Sequence, residues 1–197
     1  METALRWRGV HHVEFSVLDY ERSVAFYDKM FGWLGYRSFW TLDLGYRSTY
    51  YLARFPVPHS YVGIQPARSG GKLSHEARTT GIHHVALWAK NRQEVDAFHD
   101  DFLSRRDITV TDVPKEYAIY APGYYAVFFD DPINGIHWEL AHTPRVPSPA
   151  AYLRWRRALK EAAGSHPEWT RDPLHEALRD LPSRTVATAG DATGDSS

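Results

Sequence analysis

Histidines fall at matching places in two stretches of this chain. The segment GVHHVEFSVLDYERSVAFYD (9–28) aligns without gaps on GIHHVALWAKNRQEVDAFHD (81–100), pairing Gly9 with Gly81, His12 with His84, Val13 with Val85, Phe26 with Phe98 and Asp28 with Asp100. A third ligand-type residue, Glu139, stands in the run GIHWELAH (135–142). Two imidazoles and one carboxylate are a common donor set for a divalent ion such as Zn, Fe, Mn, Ni or Co. They fix one face of the ion and leave other positions open to water or substrate. Such a site is catalytic rather than structural.

The elements that must position these residues repeat as well. Each copy starts with an alternating run, Val13, Phe15 and Val17 or Val85, Leu87 and Ala89, and a period of two predicts a half-buried strand. Asp19 or Asn91 then caps a helix whose apolar residues, Val24, Tyr27 and Phe31 or Val95, Phe98 and Phe102, recur at helical spacing, with Gly32 closing the first helix. Three strand-like runs follow in each copy: YRSFWTLDL, RSTYYLARF and SYVGIQPA, then DITVTDVP, YYAVFFDD and GIHWELAH. The order is βαβββ twice. If the apolar set of each first strand packs under its helix, then His12, Glu14 and Ser16, and likewise His84, face the other way. In the last strand Ile136, Trp138 and Leu140 form the apolar set, leaving His137 and Glu139 on the opposite face. Laying VGIQPA (62–67) on IHWELA (136–141) puts Gln65 at the place of Glu139. His11 and His83 are expected to point under the helices or toward strand ends, in structural roles.

Composition removes several classes of function. With 23 basic and 24 acidic residues the net charge is -1, so no overall basic field exists to hold nucleic acid. There is no cysteine, which excludes disulfides, thiolate nucleophiles and Cys-bound metals. No apolar run suits a signal peptide or a membrane span, so the expectation is a cytoplasmic protein with no membrane partner. The expected organisation is a first module over 1–66, a polar linker with a Gly-Gly pair over 67–80, a second module over 81–142, a helical extension over 143–183 and a disordered tail over 184–197. In the extension, AYLRWRRALKEAA places Tyr152, Trp155 and Leu159 on one side of a helix and Arg154, Arg156, Arg157 and Lys160 on a solvated face, with a second short helix at PLHEALRDL.

These residues resemble the vicinal oxygen chelate superfamily, which joins glyoxalases, bleomycin resistance proteins and extradiol dioxygenases. The resemblance spans about residues 9–142 and rests on GVHHVEFSVLDYERSVAFYDKMFGWLG, GIHHVALWAKN and YYAVFFDDPINGIHWELAH. It implies an α+β fold of two tandem βαβββ modules whose mixed sheets form a cupped, partly closed barrel around a metal. It also implies His12, His84 and Glu139 as ligands, with Glu139 doubling as the catalytic base. Gln65 falls where glyoxalase-type members place a fourth ligand, usually a Glu, and is either that ligand or a substrate contact. Glu14, His137 and a tyrosine among Tyr117, Tyr120, Tyr124 and Tyr125, with Tyr124 foremost, are expected to line the pocket. The modules of such proteins pair within one chain or by exchange between two, and a homodimer is expected.

The implied reaction is an isomerase- or lyase-like conversion of a small oxygenated substrate at a divalent ion. Extradiol ring cleavage is the alternative. It is disfavoured because Asp131-Pro132-Ile133-Asn134-Gly135 is one residue longer than the usual Pro-x-Gly spacing, and because Phe128 and Phe129 replace an expected Tyr. The remaining alternative is a non-catalytic cup that sequesters a planar ligand through Trp40, Trp88, Trp138 and the tyrosines.

Overall fold

A computed structural model describes residues 10–53 and 60–165, apart from the side chains of 37–39. The first module comprises β1 (His12–Val17), α1 (Tyr20–Trp33), β2 (Arg37–Asp43), β3 (Arg47–Ala53) and β4 (Ser60–Pro66). The second comprises β5 (Val85–Trp88), α2 (Arg92–Ala97), which continues as a π-helical stretch (Phe98–Leu103), then β6 (Thr109–Glu116), β7 (Tyr125–Asp130) and β8 (His137–His142). A longer helix, α3 (Pro149–Ser165), follows. Each module forms a four-stranded mixed sheet, in the orders β1-β4-β3-β2 and β5-β8-β7-β6, with the first and last strands parallel. This is the α+β, twice-repeated βαβββ fold that the sequence predicts. The two sheets share no hydrogen-bonded strand pair, so among the described residues no barrel closes within one chain.

The helices start as their caps dictate. Asp19 Oδ1 accepts the amide of Arg22 at 3.1 Å, and Asn91 Oδ1 accepts that of Glu94 at 2.9 Å, which relieves amides that no helical carbonyl can reach. The end of α1 differs from expectation. Gly32 lies inside the helix, and the chain turns out at Gly35, whose φ of +80° suits glycine and whose amide bonds back to Gly32 O at 3.2 Å.

The buried side of α1 (Tyr20, Ser23, Phe26, Tyr27, Met30 and Phe31) covers more than its own sheet. Trp138 of β8 is fully buried, with ring centroids 5.6 Å from Phe15, 5.7 Å from Tyr27 and 5.8 Å from Phe31. Trp33 and Phe98 meet at 5.0 Å. Aromatic pairs of this kind contribute about 1 kcal/mol each beyond the area they bury. The modules therefore share one core through the helix-side faces of their sheets. The opposite faces, with His12, Glu14 and Ser16 on β1 and His84, Ala86 and Trp88 at β5, are exposed.

One buried carboxylate holds this arrangement. Asp131, fully buried in the β7–β8 turn, accepts the Tyr27 hydroxyl at 3.1 Å and the amides of Ile133, Asn134 and Ile136 at 2.9, 2.7 and 3.0 Å. Asn134 in turn accepts the Leu18 amide through Oδ1 at 2.8 Å and donates to Ser23 Oγ at 3.1 Å. Burial, and then the charge of Asp131, push the Tyr27 phenol well above its ordinary pKa, so it remains a donor.

Helix α3 docks through buried Ala151 and Trp155, and Arg154 is not simply solvated. Its Nε and Nη2 each reach a Glu116 oxygen at 3.0 Å, and Arg92 adds a third bond at 2.8 Å. These cations, Arg154 foremost, hold the Glu116 carboxyl below the usual range. The expected helix at PLHEALRDL and the tail 184–197 lie outside the described residues. Among the described residues no helix is long and apolar enough to cross a membrane.

Asp131→Ala is expected to cost about 3 kcal/mol or more, because the Tyr27 hydroxyl and three amides lose a buried acceptor. Tyr27→Phe is expected to cost about 1–2 kcal/mol. Urea unfolding measures both, and a loss below about 1 kcal/mol for Asp131→Ala contradicts this role.

Candidate active site

The two His-His pairs repeat in geometry as well as in sequence. Nδ1 of His11 and Nδ1 of His12 share a hydrogen bond at 2.8 Å, and His83 and His84 do the same at 2.8 Å. The first histidine of each pair therefore orients the second and leaves its Nε2 as the outward nitrogen, a role that second partners commonly play for ligating imidazoles. Of the two places expected for His11 and His83, the strand ends hold and the undersides of the helices do not: both are exposed and lie just before the strands, which begin at His12 and Val85.

The parallel ladder sets Glu139 opposite Ala86, next to the strand that follows His84. Glu139 is 3% exposed, and His84 Nε2 stands 3.2 Å from its Oε2. Two donors about 2.1 Å from one ion at roughly a right angle lie about 3 Å apart, so this pair suits adjacent ligand positions. The Tyr124 hydroxyl donates to the other oxygen, Oε1, at 2.6 Å. Burial raises the Glu139 pKa, against the lowering effects of Tyr124 and His84. Burial and Glu139 together push the Tyr124 phenol far up, so it stays protonated and donating.

His12 does not join this pair. Its ring stacks on Tyr61 at 4.6 Å, on the exposed face of the other sheet. Among the described residues no three His, Asp or Glu side chains converge on one point. Gln65 also stands differently from the sequence alignment. In the ladders Glu139 faces Ala86, whose repeat equivalent Glu14 faces Gly63, while Gln65 lies one pleat further on, opposite Ser16. The Glu14 side chain leans over Gly63, where an added Cβ would come within 2.9 Å of it. Gln65 Oε1 is nevertheless buried without a hydrogen-bond partner, an acceptor free for a ligand.

Around Glu139 the second sheet carries an aromatic wall. Tyr117 and Tyr120 stack at 5.5 Å, Tyr120 meets Tyr124 edge-on at 5.5 Å, and Tyr117 meets Phe128 at 5.3 Å. Tyr125 faces elsewhere, bonded to Asp96 Oδ1 at 2.8 Å. His137 shares the face of Glu139, as the alternation predicts, but it is 5% exposed rather than open. Its Nδ1 bonds Asp130 at 2.6 Å, and its ring stacks against His75 at 3.7 Å and Phe128 at 5.7 Å. Burial lowers the His137 pKa, outweighing Asp130. His75 has no counterpart in the repeat, and as the single histidine of the linker 67–80 it gave no signal in the sequence.

Comparison with known proteins places the chain in a family. The family pattern of the Glyoxalase/Bleomycin resistance protein/Dioxygenase superfamily matches residues 9–140. No curated relative matches the chain. Among solved structures, a candidate glyoxalase from Bacillus halodurans is 26% identical, with a TM-score of 0.52 over 68% of this chain and 95% of that one. A glyoxylase/bleomycin resistance protein/dioxygenase domain from Frankia sp. EAN1pec is 16% identical, with a TM-score of 0.55 over 71% and 95%. The fosfomycin resistance protein FosX of Listeria monocytogenes is 15% identical, with a TM-score of 0.50 over 71% and 97%. The last two likenesses speak for the fold alone. With the family pattern spanning both βαβββ modules and their paired histidines, this chain belongs to the Glyoxalase/Bleomycin resistance protein/Dioxygenase superfamily.

Proposed function

We propose that this protein is a divalent-metal-dependent enzyme acting on a small oxygenated substrate. It works as a homodimer whose sites combine His84 and Glu139 of one copy with His12 of the partner subunit. The observation that carries the reading is the His84–Glu139 pair, 3.2 Å apart and oriented by His83 and Tyr124, on a sheet whose ligand face turns away from the chain's own His12. The shared core lies on the other faces of both sheets, so one chain offers two half-sites that only a second copy can complete. Trp88, 79% exposed on the same face, gives that copy apolar surface to cover.

The donor set of two imidazoles and a carboxylate suits Zn, Fe, Mn, Ni or Co. Bound there, such an ion supplies a Lewis acid for two adjacent substrate oxygens, or a redox centre in the case of Fe or Mn. The chain's own residues then set the proton chemistry. Glu139 is the general base, its raised pKa making it a better proton acceptor than a solvated carboxylate. Tyr124 holds Oε1 and leaves Oε2 to face His84. Tyr117, Tyr120 and Phe128 form an apolar wall that keeps water from one side of the substrate. An isomerase- or lyase-like proton transfer fits these groups better than ring cleavage, because it needs a carboxylate base of raised pKa beside the ion, as Glu139 is. The same stacked aromatics favour ligand sequestration as the second reading, and metal content separates the two.

Elemental analysis of protein purified without chelator or histidine tag is expected to find about one ion per chain, and less than about a tenth of that in His84→Ala. Full metal retention in the variant contradicts the ligand set. Light scattering is expected to give the mass of two chains, and a monomer at micromolar concentration contradicts the shared site. Tyr124→Phe is expected to weaken metal binding about 10–100-fold with little change in melting temperature. Unchanged affinity in a competitive chelator titration contradicts its positioning role.

A further inference from the structure

The segment between the modules is not a loose tether. Lys72 Nζ donates to Pro132 O at 3.0 Å, and the Leu73 amide donates to Asn134 O at 2.7 Å. Gly135, at φ +69°, lets Leu73 O approach so closely that an added Cβ would stand 2.2 Å from it. This clamp to the Asp131 turn borders an open cavity of about 220 Å³ whose walls include Ser74, His75, Arg78, Thr79, Thr80 and His83.

The lining has one chemical character. None of its residues is acidic. The Arg78 guanidinium has no ion pair among the described residues, and the hydroxyls of Ser74, Thr79 and Thr80 have no hydrogen-bond partner among them. His75 Nδ1 is buried and also unpartnered. Arg78 is the one non-glycine residue with positive φ, 46°, among those described, and it ends the turn that its amide closes on His75 O at 3.3 Å. A cation, three hydroxyls and an imidazole thus line one small cavity with no carboxylate among them, a lining whose charge and donors suit an anion. The cavity also adjoins the candidate active site. His83 on its wall bonds His84, and His137, also on its wall, lies 6.3 Å from the His84 ring.

We propose that this cavity is a subsite for a tetrahedral oxyanion. Arg78, Ser74, His75, Thr79 and Thr80 would hold a phosphoryl-type group, and the rest of the substrate would reach toward His84 and Glu139. The number of donors exceeds what the two oxygens of a carboxylate can use, and the volume admits such a group with a short tail but not a large planar ligand. The placement of the tail rests on the function proposed above. The oxyanion subsite does not.

Calorimetric titration of inorganic phosphate into the chelator-treated full chain tests the subsite without any contribution from a metal. Saturable binding is expected, weakened at least 10-fold in Arg78→Gln and partly restored in Arg78→Lys, with circular dichroism confirming that each variant is folded. Thr79→Val with Thr80→Val is expected to weaken it independently of the cation. No saturable phosphate binding, or wild-type binding by both Arg78→Gln and the double threonine variant, overturns the proposal. Phosphate binding that appears only after metal loading also overturns it, because the anion then belongs to the ion, and the metal-dependent reading stands. Phosphate binding by protein that takes up no metal supports the subsite and refutes the metal-dependent reading.

Discussion

A single buried carboxylate, Asp131, fixes the geometry on which the rest of this molecule depends. It takes a hydroxyl from the helix of one module and three amides from the turn of the other. A buried carboxylate is costly unless its oxygens are satisfied, and here they are, so the turn has one low-energy arrangement rather than several. That arrangement aims β8. Trp138 then enters the aromatic cluster of α1 and β1, and alternation along the strand sends His137 and Glu139 to the far side. Asn134 and Gly135 of the same turn receive the linker at Leu73, so the cavity around Arg78 is fixed by the same constraint.

Sharing one core has a direct consequence for function. Burial of Trp138 against Phe15, Tyr27 and Phe31 is worth several kcal/mol, more than a modest hydrogen-bonded edge would return, and it commits the helix sides of both sheets to each other. The His-bearing faces are thereby turned away from one another. On the second of these faces a desolvated carboxylate is held by one phenol and one imidazole. Such preorganisation lowers the entropy that binding a ligand costs.

Much of this was legible in the residues. The gapless repeat gave both modules, and the period-two runs separated core from ligand faces: Phe15, Val17, Trp138 and Leu140 are buried, and His12, His84 and Glu139 lie opposite them. Capping by Asp19 and Asn91 followed from their side-chain chemistry. Other features depend on geometry that spacing does not encode. Gly35 rather than Gly32 ends α1, because the left-handed position is decided by where the helix must leave its sheet. Gln65 is displaced from the place of Glu139, because the parallel ladders of the two modules differ by one pleat. His11 and His83 orient their neighbours, a contact made before each strand begins and so invisible to alternation. His75 and Arg78 sit in a segment without periodicity, and only the tertiary clamp at Leu73 and Gly135 gives them a role.

The central claim is that His12 serves a site on the other copy. Chains carrying His12→Ala and His84→Ala, marked with two different histidine-free affinity tags and co-expressed, yield a heterodimer that can be isolated and analysed for metal. In it one site retains His12 from one chain with His84 and Glu139 from the other, while the second site loses both histidines. About one ion per heterodimer is predicted, with essentially none in either variant homodimer. A heterodimer as empty as the two homodimers would show that His12 and His84 act within one chain or not together at all.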